Sequence, residues 1–93
     1  MIRSFGDKET ERIFGQEKSL RLPSDIQKRA LVKLMLLDAA EGEADLRSPP
    51  SNRFEYLKGK LEDFCSIRVN DQWRIVFKLV DGNAFDVSIV DYH

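Results

Sequence analysis

Apolar side chains recur at two different spacings along the chain, and the change in spacing divides it into a helical half and a strand half. Between residues 24 and 40 they recur every three or four positions, which places them on one face of an α-helix. From residue 54 onward they alternate with polar residues, as along a half-buried β-strand. We therefore expect an α+β fold in which two N-terminal helices pack on a mainly antiparallel sheet, with residues 1–93 forming one domain.

Two helices are predicted in the first half of the chain. The first follows Asp7, a residue type that caps helix N-termini, and runs to about Gln16. The second has Ser24 as its predicted N-cap and Gln27 three residues later, which is the spacing of a capping box, and it runs to about Ala40. Its apolar stripe is expected to face the core and comprises Ile26, Ala30, Leu31, Leu34, Met35 and Leu37.

Five strands are predicted around these helices. They are Met1–Phe5, Phe54–Leu57, Phe64–Val69, Trp73–Val80 and Phe85–Val90. The segment 43–53 contains two adjacent prolines, so we expect an extended, stiff connection there. The predicted order of elements is β-α-α-β-β-β-β.

The register of the two central strands follows from polarity. If Asn70-Asp71-Gln72 is a three-residue loop, one face of the pair is uniformly apolar and consists of Cys65, Ile67, Val69, Trp73, Ile75 and Phe77. A two-residue loop would mix the two faces. The preferred register places Arg68 directly beside Arg74 on the face away from the helices. Like charges in that position cost stability, so they indicate an anionic ligand or a nearby Asp.

Charge is distributed unevenly. The whole chain carries −1, yet residues 47–78 hold seven Lys/Arg and four Asp/Glu, which makes this segment basic. A local basic zone can contact phosphates inside a nearly neutral protein. The single cysteine, Cys65, is predicted to be a core residue of a protein in a reducing compartment. We see neither a targeting nor a membrane-spanning segment, and we expect a cytoplasmic protein.

The C-terminal triplet Asp91, Tyr92 and His93 holds a carboxylate, a phenol and the single imidazole of the chain. RNA cleavage through the 2′-hydroxyl needs a base, an acid and cations that stabilise the phosphorane, but no metal, because the substrate supplies the nucleophile. Arg68 and Arg74 suit the cationic role, and His93 titrates near neutrality. The alternative interpretation of the triplet is a solvated chain end.

Three segments also resemble a known family: Arg47–Arg53, Ser66–Phe77 and Ile89–His93. Together with the Met-Ile-Arg-Ser-Phe opening, they are similar to the HigB-like "plasmid maintenance killer" toxins of the RelE/ParE superfamily. The resemblance covers essentially the whole chain. It implies a RelE-like microbial RNase fold and cleavage of mRNA on the ribosome, without a metal or cofactor.

The resemblance also implies partners and site residues. The expected partner is a HigA-like helix-turn-helix antitoxin, through which alone the toxin would associate with operator DNA. The residues that match the family's catalytic positions are Arg68, Arg74, Asp91, Tyr92 and His93, and the weaker candidates for contact with the RNA backbone are Arg53, Lys58 and Lys60.

Two other functions remain open at this point. One is ParE-like inhibition of DNA gyrase without catalysis, and the other is a catalytically silent protein that acts with its antitoxin in transcriptional control. Neither needs the terminal Asp91-Tyr92-His93 triplet together with Arg68 and Arg74, so these residues favour the endoribonuclease.

Overall fold

The computed structural model describes residues 1–92, and His93 lies outside the described residues. Three helices and a four-stranded sheet follow one another as α1 (Lys8–Phe14), α2 (Ser24–Ala39), α3 (Glu43–Leu46), β1 (Glu55–Tyr56), β2 (Phe64–Arg68), β3 (Trp73–Val80) and β4 (Asn83–Asp91). Short 3-10 turns cover Pro50–Asn52 and Gly59–Leu61. The strands are antiparallel neighbours in the order β1-β2-β3-β4. The predicted α+β fold is therefore confirmed.

The two predicted helices are present, but only one has the predicted cap. The Asp7 carboxylate accepts a hydrogen bond from the Thr10 backbone N–H at 2.7 Å, as an N-cap does. The capping box proposed for α2 was wrong. Pro23 is the N-cap, and the Gln27 side chain turns away to bind the backbone of Ser19 and Leu22. The amide thus fixes the turn that enters α2.

The inner face of α2 packs on one side of the sheet. Buried residues from both layers form the core, and the largest of them are Phe77, Leu34, Leu37, Leu46, Ile67 and Ile75. Met35 was predicted to belong to the inner stripe of α2, and this was wrong, because its side chain is 54% exposed. The buried stripe is narrower than the hydrophobic pattern and follows Ile26, Ala30, Leu34 and Leu37.

The N-terminal segment forms two isolated parallel bridges along the edge of β4 rather than a regular strand. Ile2 pairs with Ala84, and Phe5 pairs with Val87. Between them β4 bulges, because two of its residues lie opposite Phe77, and Asp86 there adopts a left-handed φ of 53°. The bulge interrupts the ladder, and the Ser4 hydroxyl accepts the freed Asp86 N–H at 2.9 Å.

The central register is the one predicted for the three-residue loop. Arg68 pairs with Arg74, Ile67 with Ile75 and Cys65 with Phe77. The face that carries Cys65 and Ile67 is buried under the helices, so Arg68 and Arg74 lie on the other face of the sheet.

The connection 43–53 is not extended as predicted. It contains α3 and the 3-10 turn Pro50–Asn52, and the Ser48–Pro49 peptide bond is cis. Asn52 is completely buried, and its Nδ2 donates to the carbonyl oxygens of Leu46 and Ser48 at 3.1 and 3.2 Å. The segment is compact because the Asn52 side chain forms hydrogen bonds with two backbone carbonyl groups inside it.

Candidate active site

Arg74 is the centre of the site on the outer face of the sheet. It is 8% exposed, an unusual burial for a guanidinium. Its Nε donates to Ser66 Oγ at 2.8 Å, and its Nη2 donates to the Arg53 carbonyl oxygen at 2.5 Å. Glu55 lies 3.7 Å from the same Nη2 atom. These contacts hold the planar guanidinium in one orientation while leaving part of its edge at the surface.

Tyr92, the last described residue, is held against this arginine. The Tyr92 backbone N–H donates to the Gln72 carbonyl oxygen at 2.6 Å, which ties the residue after β4 to the β2–β3 loop. The guanidinium carbon of Arg74 lies 5.5 Å from the centroid of the Tyr92 ring, within the range of a cation–π contact. The structure thus brings together two of the predicted site residues, Arg74 and Tyr92.

Arg68 lies next to Arg74 and contacts an acidic residue, as the register argument anticipated. Its Nη2 forms an ion pair with Asp71 of the β2–β3 loop. The Asp71 side chain is 99% exposed, so the pair contributes little to stability. An incoming phosphate can therefore replace Asp71 at low cost.

Asp91 occupies a different position from Tyr92. It pairs with Trp73 in the β3–β4 ladder, which places it on the helix-covered face of the sheet, at its end. Its carboxylate accepts a hydrogen bond from Gln72 Nε2 at 3.1 Å. His93 lies outside the described residues. The catalytic roles assigned to Asp91 and His93 therefore stay predictions.

The weaker RNA-contact candidates are spread along one stretch of chain. Arg53 has a left-handed φ of 46°, and its carbonyl group, rather than its side chain, is what contacts Arg74. Lys58 lines a surface cavity together with Tyr92. Lys60 lies exposed in the 3-10 turn Gly59–Leu61.

The sequence analysis missed a series of hydrogen bonds that connects α2 to Arg74. Lys33 of α2 donates to Asn52 Oδ1, and Asn52 in turn holds the loop that ends at Arg53. Arg53 supplies the carbonyl that orients Arg74. A polar residue next to two prolines is an ordinary loop pattern, so the sequence contained no signal for this chain of contacts.

Lys33 and Arg74 both lie within electrostatic range of other cations. Burial lowers the pKa of Lys33, and the nearby Arg29 and Arg68 lower it further. Burial likewise lowers the pKa of Arg74; Glu55 and Tyr92 oppose that shift, while Arg68 and Arg53 add to it. Cations within range of one another raise the local positive potential, which favours an anion.

Other chemistry is poorly supported by the described residues. Cys65 is buried, and its burial raises the pKa of the thiol to about 12, which confirms the predicted core role. Within residues 1–92, His, Cys, Asp and Glu side chains form no group of three that could hold a metal ion. No helix in the same part of the chain is long and apolar enough to cross a bilayer.

The site consists of an oriented, partly buried arginine beside a second arginine and a tyrosine ring, an arrangement that can bind an anion, on a small α+β fold. Comparisons with solved structures agree on the fold. A chain of the YoeB–YefM complex from Staphylococcus aureus matches with a TM-score of 0.62 and 22% identity, over 100% of this chain and 95% of that one. A YafQ mutant from E. coli matches with a TM-score of 0.58 and 16% identity, over 98% and 91%.

Sequence comparisons give the family. The model of the HigB-like toxins, described as RelE-like toxins of type II toxin–antitoxin systems, matches residues 3–93. Toxin HigB-1 of Vibrio cholerae is 49% identical over 90 residues, which are 96% of this chain and 95% of that protein. Endoribonuclease HigB of Proteus vulgaris is 32% identical over 97 aligned positions, covering both proteins completely. This chain belongs to the HigB family of RelE-like toxins of type II toxin–antitoxin systems, so the resemblance found in the sequence is confirmed.

Proposed function

We propose that this toxin is an endoribonuclease that cleaves mRNA on the ribosome, with Arg68 and Arg74 binding the phosphate at the cleaved bond. The observation that carries the proposal is the fixed orientation of Arg74 between Ser66 and the Arg53 carbonyl. A protein that only bound a partner would not need an arginine so deeply buried and so fully restrained. The name of the Proteus vulgaris relative, an endoribonuclease, supports the same activity.

The chemistry needs few groups. The 2′-hydroxyl of the RNA attacks the adjacent phosphorus while a base takes its proton. The bond from phosphorus to the 5′-oxygen then breaks, and an acid protonates the leaving oxygen. Negative charge builds up on the phosphate oxygens, and Arg74 and Arg68 stabilise it through charge-assisted hydrogen bonds.

The proton transfers are assigned to the C-terminal residues. His93 has the side chain whose ordinary pKa suits either acid or base duty near neutral pH. Asp91 would orient His93 or act as the base itself. Tyr92, held against Arg74, would donate a proton, orient the hydroxyl or stack on a base. Arg53, Lys58 and Lys60 would contact the RNA backbone.

The proposed setting is the bacterial cytoplasm. As a member of a type II toxin family, the chain has an antitoxin as its partner. We propose that this partner is a HigA-like protein with a helix-turn-helix domain, and that the toxin associates with operator DNA only through it.

Mapping of 5′ ends in cellular transcripts after a brief pulse of the toxin tests the function. We expect new ends inside reading frames and in phase with codons. They should disappear with His93→Gln and with Arg74→Ala, and they should persist with Arg21→Ala, which removes an exposed arginine from the turn before α2.

A second variant separates charge from geometry. Arg74→Lys keeps the positive charge but cannot make both the Ser66 and the Arg53 contacts, so we expect it to lose cleavage as well. Circular dichroism should show that each variant remains folded. Growth arrest with intact transcripts would overturn the proposal and direct attention to a non-catalytic target such as DNA gyrase.

A further inference from the structure

Two aromatic side chains of the sheet are not used by the hydrophobic core. Four of the six phenylalanines belong to the core or pack against it, and these are Phe5, Phe14, Phe54 and Phe77. Phe64 and Phe85 do neither, and both are partly exposed. Aromatic rings that stand together at the surface indicate a place where another molecule binds.

These two rings flank one lysine in a single row across three strands. Lys78 of β3 pairs with Phe64 of β2 on one side and with Phe85 of β4 on the other, so all three side chains point to one face. Phe64 is two positions from Ser66, whose hydroxyl accepts a hydrogen bond from Arg74 on the outer face. The three residues therefore lie on the same face as Arg74, and we call them the aromatic row.

The charge in the middle of the aromatic row is available to a ligand. The Lys78 ammonium lies 5.2 Å from the centroid of the Phe64 ring, in a cation–π contact. The ion pairs among residues 1–92 do not include Lys78. Because an exposed cation–π contact is weak and the lysine stem is flexible, the ammonium can leave the ring for a phosphate.

The aromatic row and Arg74 are separated by short side chains only. Lys78 follows Arg74 by four positions on β3, which at about 3.4 Å per residue is a distance of about 14 Å. The paired residues between them on the same face are Ser66, Val76 and Ser88. An RNA strand with a phosphate at Arg74 can therefore reach the aromatic row across a shallow part of the sheet.

Single-stranded RNA has the chemistry that this row can bind. Its bases stack on aromatic rings and its phosphates pair with lysine, which is how proteins bind unpaired nucleotides without reading their sequence. An antitoxin segment that covered the row with apolar side chains would remove the Lys78 ammonium from water without giving it an acceptor. Charge and stacking together therefore favour RNA over a protein segment.

We propose that the aromatic row binds unpaired nucleotides of the RNA substrate, away from the bond that is cleaved. Phe64 and Phe85 are the stacking surfaces, and Lys78 binds a phosphate between them. The inference rests on the proposed function and deepens it, because it gives the toxin a second contact with the same strand.

Binding can be measured without cleavage. Oligonucleotides with 2′-O-methyl groups lack the attacking hydroxyl, and fluorescence anisotropy gives their affinity for the purified toxin. We expect Phe64→Leu, Phe85→Leu and Lys78→Gln each to weaken binding of an oligomer of about eight nucleotides at least about fivefold, the lower end of what one stacked base contributes. The matched controls, Phe14→Leu on α1 and Lys18→Gln in the turn before α2, should bind it as the unmodified toxin does.

Cross-linking locates the contact in the unmodified toxin. 5-Iodouridine at successive positions of the oligomer cross-links under ultraviolet light to aromatic side chains that stack on it, and mass spectrometry identifies them. We expect cross-links to Phe64 or Phe85 from positions other than any that cross-link to Tyr92. Cross-links confined to Tyr92, or unchanged affinity in all three variants, would overturn the proposal. Variants that bind RNA normally but lose affinity for the antitoxin would overturn it too, because the row would then belong to a protein interface.

Cleavage separates this proposal from the proposed function. If the toxin cuts transcripts, and the three variants cut them at the unmodified rate and bind the oligomer normally, the aromatic row is wrong and the nuclease stands. If the unmodified toxin cuts no transcript yet cross-links at Phe64 or Phe85, the nuclease is wrong and the row stands as an RNA-binding surface.

Discussion

Substituting Asn52 by alanine should destabilise the toxin far more than a loop substitution normally does. The change removes two hydrogen bonds, to the carbonyl oxygens of Leu46 and Ser48, and leaves both acceptors without a donor inside the protein. Each neutral bond contributes about 0.5–1.5 kcal/mol, and an unsatisfied buried group costs about 1–3 kcal/mol. The third bond, from Lys33, adds little, because water reaches that half-buried ammonium. We expect a loss of about 2–3 kcal/mol.

Urea denaturation of the purified chain measures this loss directly, and thermal melting checks it. For a domain of this size about 1 kcal/mol corresponds to about 4–8 °C, so the midpoint should fall by roughly 10–20 °C. Asn52→Asp is the matched control, since it keeps the size and the Lys33 partner but loses both donor bonds. It should be destabilised too, whereas Lys33→Met should cost under about 1 kcal/mol.

The reasoning would be refuted if Asn52→Ala stayed within about 0.5 kcal/mol of the unmodified protein, the range of ordinary surface substitutions. It would also fail if Lys33→Met cost more than Asn52→Ala, since the charged bond would then be the important one. A functional result should accompany the loss of stability. At temperatures where the Asn52→Ala variant is still folded, its cleavage should be slower, because the Arg53 carbonyl that orients Arg74 follows directly in the chain.

Three further predictions concern other parts of the fold. Gly82→Ala should cost clearly more stability than Gly59→Ala in urea titrations. Both glycines have a positive φ, but only at Gly82 would a Cβ lie 2.4 Å from a backbone carbonyl oxygen. Equal losses would show that the close approach is unimportant. At pH 8 the Cys65 thiol should react with iodoacetamide at least about 100-fold more slowly in the native protein than in urea. Burial raises the pKa of the thiol to about 12, so it stays protonated at pH 8. Fast alkylation of the native protein would contradict this prediction. Ser66→Ala should cost about 1.5–3 kcal/mol and slow cleavage, because Arg74 Nε loses a buried acceptor, and unchanged cleavage would show that Ser66 does not orient the arginine.

The part of the fold that polarity determines could be predicted from the sequence. The β2–β3 register was predictable because a slip of one residue would have set an arginine of one strand beside an isoleucine of the other and mixed the polar and apolar faces. The same argument placed the two arginines side by side. That part of the candidate site required only the alternation of side chains along a strand.

The bulge in β4 was not predicted, although the sequence holds a trace of it. Ala84 and Val87 are both buried on the helix-covered side of the sheet. They are three positions apart, and in a regular strand side chains three positions apart point to opposite faces. The extra residue is accommodated at Asp86, which adopts a left-handed conformation. The sequence analysis began this strand at Phe85, whereas β4 begins at Asn83.

The support of Arg74 could not be predicted because it depends on tertiary contacts between distant segments. Lys33 comes from α2, Asn52 from a 3-10 turn and Ser66 from β2, and none of them has a sequence neighbour that indicates its role. The failed capping box has the same cause. Ser24 and Gln27 have the right spacing, but the Gln27 amide finds better partners in the preceding turn.

The local charge of the site explains how a protein with a net charge of −1 can act on RNA. Arg68 and Arg53 repel Arg74, and Arg29 and Arg68 repel Lys33, which adds to the lowering of both pKa values that burial begins. A bound anion would offset this repulsion. The acidic residues that balance the total lie largely elsewhere, in the first 46 and the last 15 positions of the chain. Because screening limits charge interactions in water to about 8–10 Å, a phosphate at Arg74 would respond to the cations around it rather than to the net charge of the protein.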